Sequence, residues 1–425
     1  MHKPLTSWKN VLSNLGRRVN WQNFYRSMQT RTVARRRSNP KPQLCFECLE
    51  DRTMLTTVPG LVVTTTIDVV DATDGVVSLR EAISFANNQA GVDTVTFASG
   101  TGDAFATGGL IRLTEGELLV TEALNIDASA VAAGVTISGD SAGDDTLIAG
   151  SFITDAINNT NTSDNSRVLN VTGGDSDLTI RGLTLTGGVA NSDGGGINFA
   201  SSGELTLEQS IVSGNSSVGD GGGISVFGDY AQTTITNSTI SGNSANFGGG
   251  ISSGVDTTSI TNSIISGNNA GRNGGGIELS SNNTIVTNST ISENTAGDDG
   301  GGIFNFRGNT TVTNSTISGN SAGESGGGVL SYSGNFVTAN STISGNSASR
   351  GGGLAQYFSY LVIESSTVVR NTSTSSTAGV STGNQPLRVS NSIIAQNTTN
   401  FGDLDLQISP RFPDCLLYTS DAADE

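Results

Sequence analysis

The residues best placed to do chemistry stand in front of a recurring triple glycine. The triplet opens at Gly194, Gly221, Gly248, Gly274, Gly300, Gly326 and Gly351. The residue before each opening runs Asp193, Asp220, Phe247, Asn273, Asp299, Ser325 and Arg350. If successive repeats stack, Asp193 and Asp220 lie one rung apart. Two carboxylates that close invite a hard cation held by oxygen ligands, or raise one another's pKa by like-charge repulsion. The plainer reading is a solvated loop edge, and on that reading no metal ligand is assigned.

Other reactive groups are scattered or absent. Hydrolysis by two carboxyl groups requires them about 5–9.5 Å apart across the scissile bond. Glu204, Glu208, Asp229, Asp256, Glu278, Glu293, Glu324 and Glu364 fall at different positions within the repeat, and Arg272, Arg307, Arg350 and Arg370 are equally dispersed. The repeats contain no Lys, and the single His is His2, so no nitrogen base is at hand. A phosphate-binding P-loop needs Gly-Lys-Ser/Thr after its glycines, whereas an aliphatic residue follows each triplet. The nine-residue Gly-Gly-x-Gly-x-Asp beat of calcium-binding repeats is missing as well. Cys45 and Cys48 make half a zinc site where four ligands are needed; Cys415 is the third cysteine, and none lies in the repeats. No disulfide framework holds such a chain. These residues leave no catalytic, cofactor-binding or metal position assigned, and the chain leans away from an enzyme.

The triplets recur every 25–27 residues, a period that signals a solenoid. Each coil can be aligned on Gly182, Gln209, Asn237, Asn262, Asn288, Asn314, Asn340, Ser365 and Asn391. Two places earlier stand Ile180, Leu207, Ile235, Ile260, Val286, Val312, Thr338, Ile363 and Val389; three places later stand Leu185, Val212, Ile240, Ile265, Ile291, Ile317, Ile343, Val368 and Ile394. A third aliphatic column, Ile197 through Leu354, follows each triplet. Three columns predict three inward-facing stacks, and the odd offset between the first two predicts a corner where the strand breaks phase. Six places after the aligned residue, Asn recurs at Asn215, Asn243, Asn268, Asn294, Asn320, Asn346, Asn371 and Asn397. Stacked amides bond up and down a ladder, a better reading of this column than glycosylation at its Asn-x-Ser/Thr matches. With strands about 4.8 Å apart, nine coils span roughly 40 Å. Parallel crossovers are overwhelmingly right-handed, so the expected fold is all-β: a right-handed parallel β-helix of 25–28-residue coils with a short N-terminal capping helix. Thr206, Thr234, Thr236, Ser259, Thr261, Thr311 and Thr313 stand at outward positions; they resemble the flat threonine arrays of ice-binding solenoids, though plain β-propensity explains them.

Charged residues make up 14% of the chain and Gly supplies 56 positions, a composition for strands rather than helices. The net charge of −17 conceals an asymmetry. Residues 1–56 carry 11 of the 21 Lys and Arg, which leaves 35 acids against 10 Arg beyond them. Such a surface repels nucleic acid and anionic lipid, and no apolar run is long enough to span a bilayer.

The chain divides into a basic leader (1–56), an N-terminal cap with irregular first coils (57–175), the regular repeats (176–414) and a tail (415–425). Phe46-Glu47-Cys48-Leu49-Glu50-Asp51-Arg52-Thr53-Met54-Leu55 resembles the leader segment of large planctomycete surface proteins, with Met54 in a Leu position, which implies export. Thr64-Thr65-Thr66, Ser78-Leu79-Arg80-Glu81-Ala82-Ile83 and Asp93 to Phe97 resemble the "Cys-Ser-Leu-Arg-Glu-Ala" domain that precedes bacterial β-helices, with Val77 in place of its Cys. That resemblance makes Arg80 and Glu81 cap residues; Ser78 and Glu81 also fit a capping box. Early strands are expected at 110–113, 117–120, 124–126, 135–137, 146–148 and 168–171, with a polar loop over 158–165. Asn243 with Gly248-Gly249-Gly250-Ile251 resembles the repeat of chlamydial polymorphic outer-membrane proteins, with Ile240 in place of its Phe. This implies an exported β-helix at the cell surface or secreted, non-enzymatic, with a structural or adhesive role and an extracellular polysaccharide or surface ligand as partner. The alternative is a polysaccharide lyase or glycoside hydrolase of the pectin-lyase-like type, whose members use clustered Asp, or Ca²⁺ with a basic residue. Cys415 to Glu425 resembles a translated sequencing adapter, so the natural end and any anchor are expected beyond the chain given.

Overall fold

The computed structural model describes residues 60–143, 165–280, 283–383 and 386–407. The leader, the three cysteines, the 415–425 tail, the 146–148 strand and most of the polar loop lie outside the described residues.

The chain is a parallel β-solenoid. One coil shows the plan: Gln232–Thr236, Thr239–Ser241, Ser244–Ala245 and Ile251–Ser253 are its four strands. Each pairs with the equivalent strand one coil on, so the coil builds four sheets of 12, 11, 10 and 11 strands. Sheets one to four are named here in that order along the coil. Among the described strands pairing is parallel except at the last rung of sheet three, where Thr398–Thr399 meets Gly402–Asp403 antiparallel. The glycine spacing and aliphatic columns predicted three faces; the structure has four. The extra face is built of two-residue strands whose buried column is largely alanine, too small to stand out beside the Ile and Val columns.

The three aliphatic columns do line the interior. Ile235, Ile240 and Ile251 are fully buried, as are Ile260, Ile265 and Ile277 in the next coil. Burying one such side chain contributes about 1.5–3 kcal/mol. Thr338, the one polar member of the first column, is buried too. The phase break is made by a residue in the left-handed region at every aligned position: Asn237, Asn262, Asn288 and Asn314 all have φ +51°, and Gly182 has φ +66°. Asn tolerates this conformation better than other side chains, which explains why it recurs there.

The second Asn column is a continuous ladder. Its amides bond from Asn215 to Asn243 to Asn268 to Asn294 at 2.9–3.0 Å, and on to Asn397. A parallel Ser ladder, absent from the sequence reading, runs beside it: the hydroxyls of Ser238, Ser263 and Ser289 accept from the backbone N–H of Ser210, Ser238 and Ser263 at 3.1–3.2 Å. The glycine triplet serves close approach. Gly221 has φ +64°, and a Cβ on Gly222 would overlap the carbonyl oxygen of Ser244.

The first coil carries α1 (Leu79–Ala86), whose capping box between Ser78 and Glu81 is formed. Its buried face is Leu79, Ala82, Ile83 and Ala86. Arg80 is spent on structure: it pairs with buried Asp68 at 2.8 Å and donates to the Gly116 and Glu117 carbonyls. The early strands appear at Gly109–Arg112, Leu118–Val120, Leu124–Asp127, Val135–Ser138 and Leu169–Val171. Ahead of the helix the chain forms one short strand, Val62–Val63.

Candidate functional site

Sheet four has three-residue strands, so the outer two side chains of each point inward and the middle one points out. The outward column runs Asn198, Ser225, Ser252, Glu278, Phe304, Leu330, Ala355 and Ser381. Outward residues are normally exposed. Here Ser225 and Leu330 are 0% exposed, Ser252 and Ala355 3%. This column is therefore covered: the residues on either side close over it as a filled groove, the trough, running along the solenoid. One wall is the residue before each glycine triplet, brought over the sheet by the positive-φ glycine that follows it. The other wall is the residue after each strand, including Phe227, Gly254, Phe306, Tyr332 and Tyr357.

The first wall is a ladder of its own. Asp193 Oδ1 accepts the backbone N–H of Asp220 at 2.9 Å, Asn273 Oδ1 that of Asp299 at 3.3 Å, and Asp299 Oδ1 that of Ser325 at 3.0 Å. Asp193 and Asp220 thus stand one rung apart, as the spacing requires, but Asp193 spends an oxygen on register. A solvated edge is too bland a description: Asp220 is raised by burial and then by Asp193, and Asp299 is raised to about 6 by burial and by Glu324.

Glu278 is the residue that sequence reasoning missed. Counted as one of the scattered acids, it stands on the trough floor, next to Ser252, whose hydroxyl donates to it at 3.4 Å. Burial and, second, the Asp220 carboxylate push its carboxyl up to about 8. Asp220 belongs to the coil two rungs earlier, roughly 10 Å along the axis at 4.7–4.9 Å per rung. The available signal was positional: Glu278 is four places after Gly274 opens its triplet, and Asp220 one place before Gly221. Only the fold of the glycine turn places the two columns face to face. Ser225, on the floor in the coil that carries Asp220, is fully buried, and its hydroxyl has no hydrogen-bond partner among the described residues.

Beyond Glu278 the floor turns apolar. Phe304, Leu330 and Ala355 form a cluster outside the main core, with Phe306 and Tyr357 packed on it. Phe306 stacks on Phe304 at 6.1 Å and on Tyr332 at 5.7 Å; Tyr332 meets Phe358 edge-on at 5.6 Å. Arg307 lies over Phe306, and Arg272 over Phe247. Tyr332 and Phe358 are 37% and 67% exposed.

The remaining candidates go elsewhere. Glu208 pairs with Arg181 at 2.9 Å and Glu204 bonds Thr206 and Thr234, all on sheet one. Arg272 pairs with Asp298 at 3.3 Å on the trough's edge, and Arg370 occupies a left-handed corner. The outward threonine column of sheet one is broken by Ile285 and Val337. Among the described residues, no three His, Cys, Asp or Glu side chains converge as a metal site.

Residues 167–335 match a family model described as "Right handed beta helix region", and the fold is a right-handed parallel β-helix. Among solved structures the chain is similar to one titled "Crystal structure of pectate lyase Pel9A", at 10% identity and a TM-score of 0.42, over 83% of this chain and 80% of that one. No curated protein sequence matches the chain.

Proposed function

We propose that the chain is an exported protein, at the cell surface or secreted, and that the rim of the trough on sheet four binds an extended, uncharged polysaccharide in a structural or adhesive role. The observation that carries this is the file of partly exposed rings, Phe306, Tyr332 and Phe358, one per coil, on the rim of the trough over its apolar stretch. Ring faces are electronegative and meet the polarised C–H face of a sugar, while few fixed polar groups orient its hydroxyls. The acidic wall disfavours a polyanion. The basic leader and the acidic body support export. Purified protein passed over immobilised β-glucan, mannan, xylan and polygalacturonate tests the reading. Retention on at least one neutral polymer and not on polygalacturonate is expected; passage through all four sinks it.

One observation favours hydrolysis as a second reading. Burial and, second, the Asp220 carboxylate two rungs away push the Glu278 carboxyl up to about 8, and pairs of carboxyl groups whose environments push them apart are how one acid donates while the other activates water. Release of new reducing ends from a neutral polymer, lost in Glu278→Gln, would select this reading over passive binding.

A further inference from the structure

Sheet two presents a face of a different kind. From Leu183–Thr186 to Ile393–Ala395 its strands stack in one register over nine coils. The residue aligned with Leu185 points into the core, and its two neighbours on the strand point out. One outward column holds Thr or Ile at every rung, from Thr184 to Ile393; the other holds Thr, Ser, Val or Ala, from Thr186 to Ala395. All eighteen positions are at least partly exposed, and none is charged. Ile211, Ile264 and Ile393 are 42%, 46% and 56% exposed. Sheet one, in the same coils, is the control. Its outward positions include Arg181, Glu204, Glu208, Glu364 and Arg388. Outward strand positions therefore accept charge in this fold, and beyond residue 56 the chain carries 35 acids against 10 Arg. A face that stays in water tolerates charge freely, whereas a face that dries against a partner does not.

We propose that this face of sheet two is the contact between two copies of the chain, laid solenoid against solenoid. Charge, period and area choose the occupant. Two bodies with so large an acid excess repel one another, so they approach where neither carries charge. A second copy also brings the same rung spacing, and rows of equal period meet in step along their whole length. The face is about 38 Å long at 4.7–4.9 Å per rung, and about 13 Å wide from the corner Asn column to the Ser column. A like-on-like pair, the commonest symmetry of soluble assemblies, covers about 1,000 Å² over both copies, the lower bound of a specific interface. The pair is thus a weak one, in exchange with monomer. Thr and Ser hydroxyls bond across the seam directly or through water, and the exposed Ile side chains supply apolar area. The inference does not rest on the polysaccharide reading, which concerns sheet four.

Sedimentation equilibrium of the full chain, over about a hundredfold range of concentration reaching about 0.3 mM, tests the contact. A reversible monomer–dimer equilibrium is expected. It should tighten between about 0.1 M and 1 M salt, as the Debye length falls from about 10 Å to about 3 Å and the repulsion between the acidic bodies is screened. Thr316→Glu sets like charges into the seam and should raise the dissociation constant about a hundredfold or more. Ile264→Glu should do the same from another rung, and guards against one variant that does not fold. Thr311→Glu carries the same charge on sheet one and should leave the dimer intact. All three positions are at least partly exposed, so melting temperatures should stay close to that of the wild-type protein. Monomer at every concentration overturns the proposal. A dimer that loosens as salt is raised is held by ion pairs and overturns it too, as does one that Thr311→Glu dissociates as fully as Thr316→Glu.

Discussion

The side-chain amide of Asn243 donates to Asn268 Oδ1 at 3.0 Å, and the same oxygen accepts the backbone N–H of Asn243, also at 3.0 Å. One carbonyl therefore closes two bonds between consecutive coils at a fully buried position. Asn268 also donates to the Ile240 carbonyl at 3.0 Å. From Asn243 to Asn397 each side-chain oxygen accepts from the Asn one coil earlier, so the ladder enforces one register along the axis.

Asn268→Ala leaves two buried donors and one acceptor unpaired. At about 1–3 kcal/mol for each orphaned group, stability should fall by roughly 3 kcal/mol or more. Because coils couple mainly to their neighbours, hydrogen exchange should quicken most in the coils holding Asn243 and Asn294. A uniform change along the solenoid would contradict this.

The corner positions make an opposite prediction. Asn288 is exposed with φ +51°, where a Cβ-bearing residue without a local polar side chain costs about 1–2 kcal/mol. Asn288→Gly should leave thermal stability unchanged or raise it, and Asn288→Val should lower it. Equal melting temperatures for the two variants would refute the argument.

Glu278 sets a pH dependence. Its carboxyl is raised from 4.5 to about 8 in the folded protein, so the folded state holds a proton that the unfolded chain releases. Stability is complete below about pH 4.5 and is lost as pH rises toward 8. Asp299, raised from 3.8 to about 6, adds a loss in the lower part of that window. Glu278→Gln should flatten the decline between pH 6 and 8 in urea midpoints and surpass the wild-type protein at pH 9. Parallel curves for the two proteins would show that Glu278 ionises normally.

Tyr332 tests the aromatic file without touching the core. It is partly exposed and stacks on Phe306 at 5.7 Å. Tyr332→Ala should weaken retention on the neutral polymer about tenfold or more, the loss of a ring contact worth 1.4 kcal/mol or above, with the melting temperature little changed. Unaltered retention would move the binding surface elsewhere.

The sequence by itself determined the coil. Ile235, Ile240 and Ile251 recur because a stacked interior favours apolar side chains there, Asn243 because a buried amide needs a partner in the next coil, and Asn237 because the corner needs positive φ. Each is a local demand repeated in every coil, so period alone exposes it. Sheet three stayed hidden because its buried column is alanine, Ala245, Ala270, Ala296, Ala322 and Ala348, too small to stand out as a core face beside the Ile and Val columns. The trough was decided by tertiary structure, since it depends on residues that do not recur. Asp220 and Glu278 are 58 residues apart in sequence and occupy different positions in the repeat. They share an electrostatic environment because Gly221 and its equivalents turn one column over the face of another. Ser325, Arg350 and Tyr357 meet for the same reason: three unlike residues, each at a variable position, joined where two walls approach across one sheet.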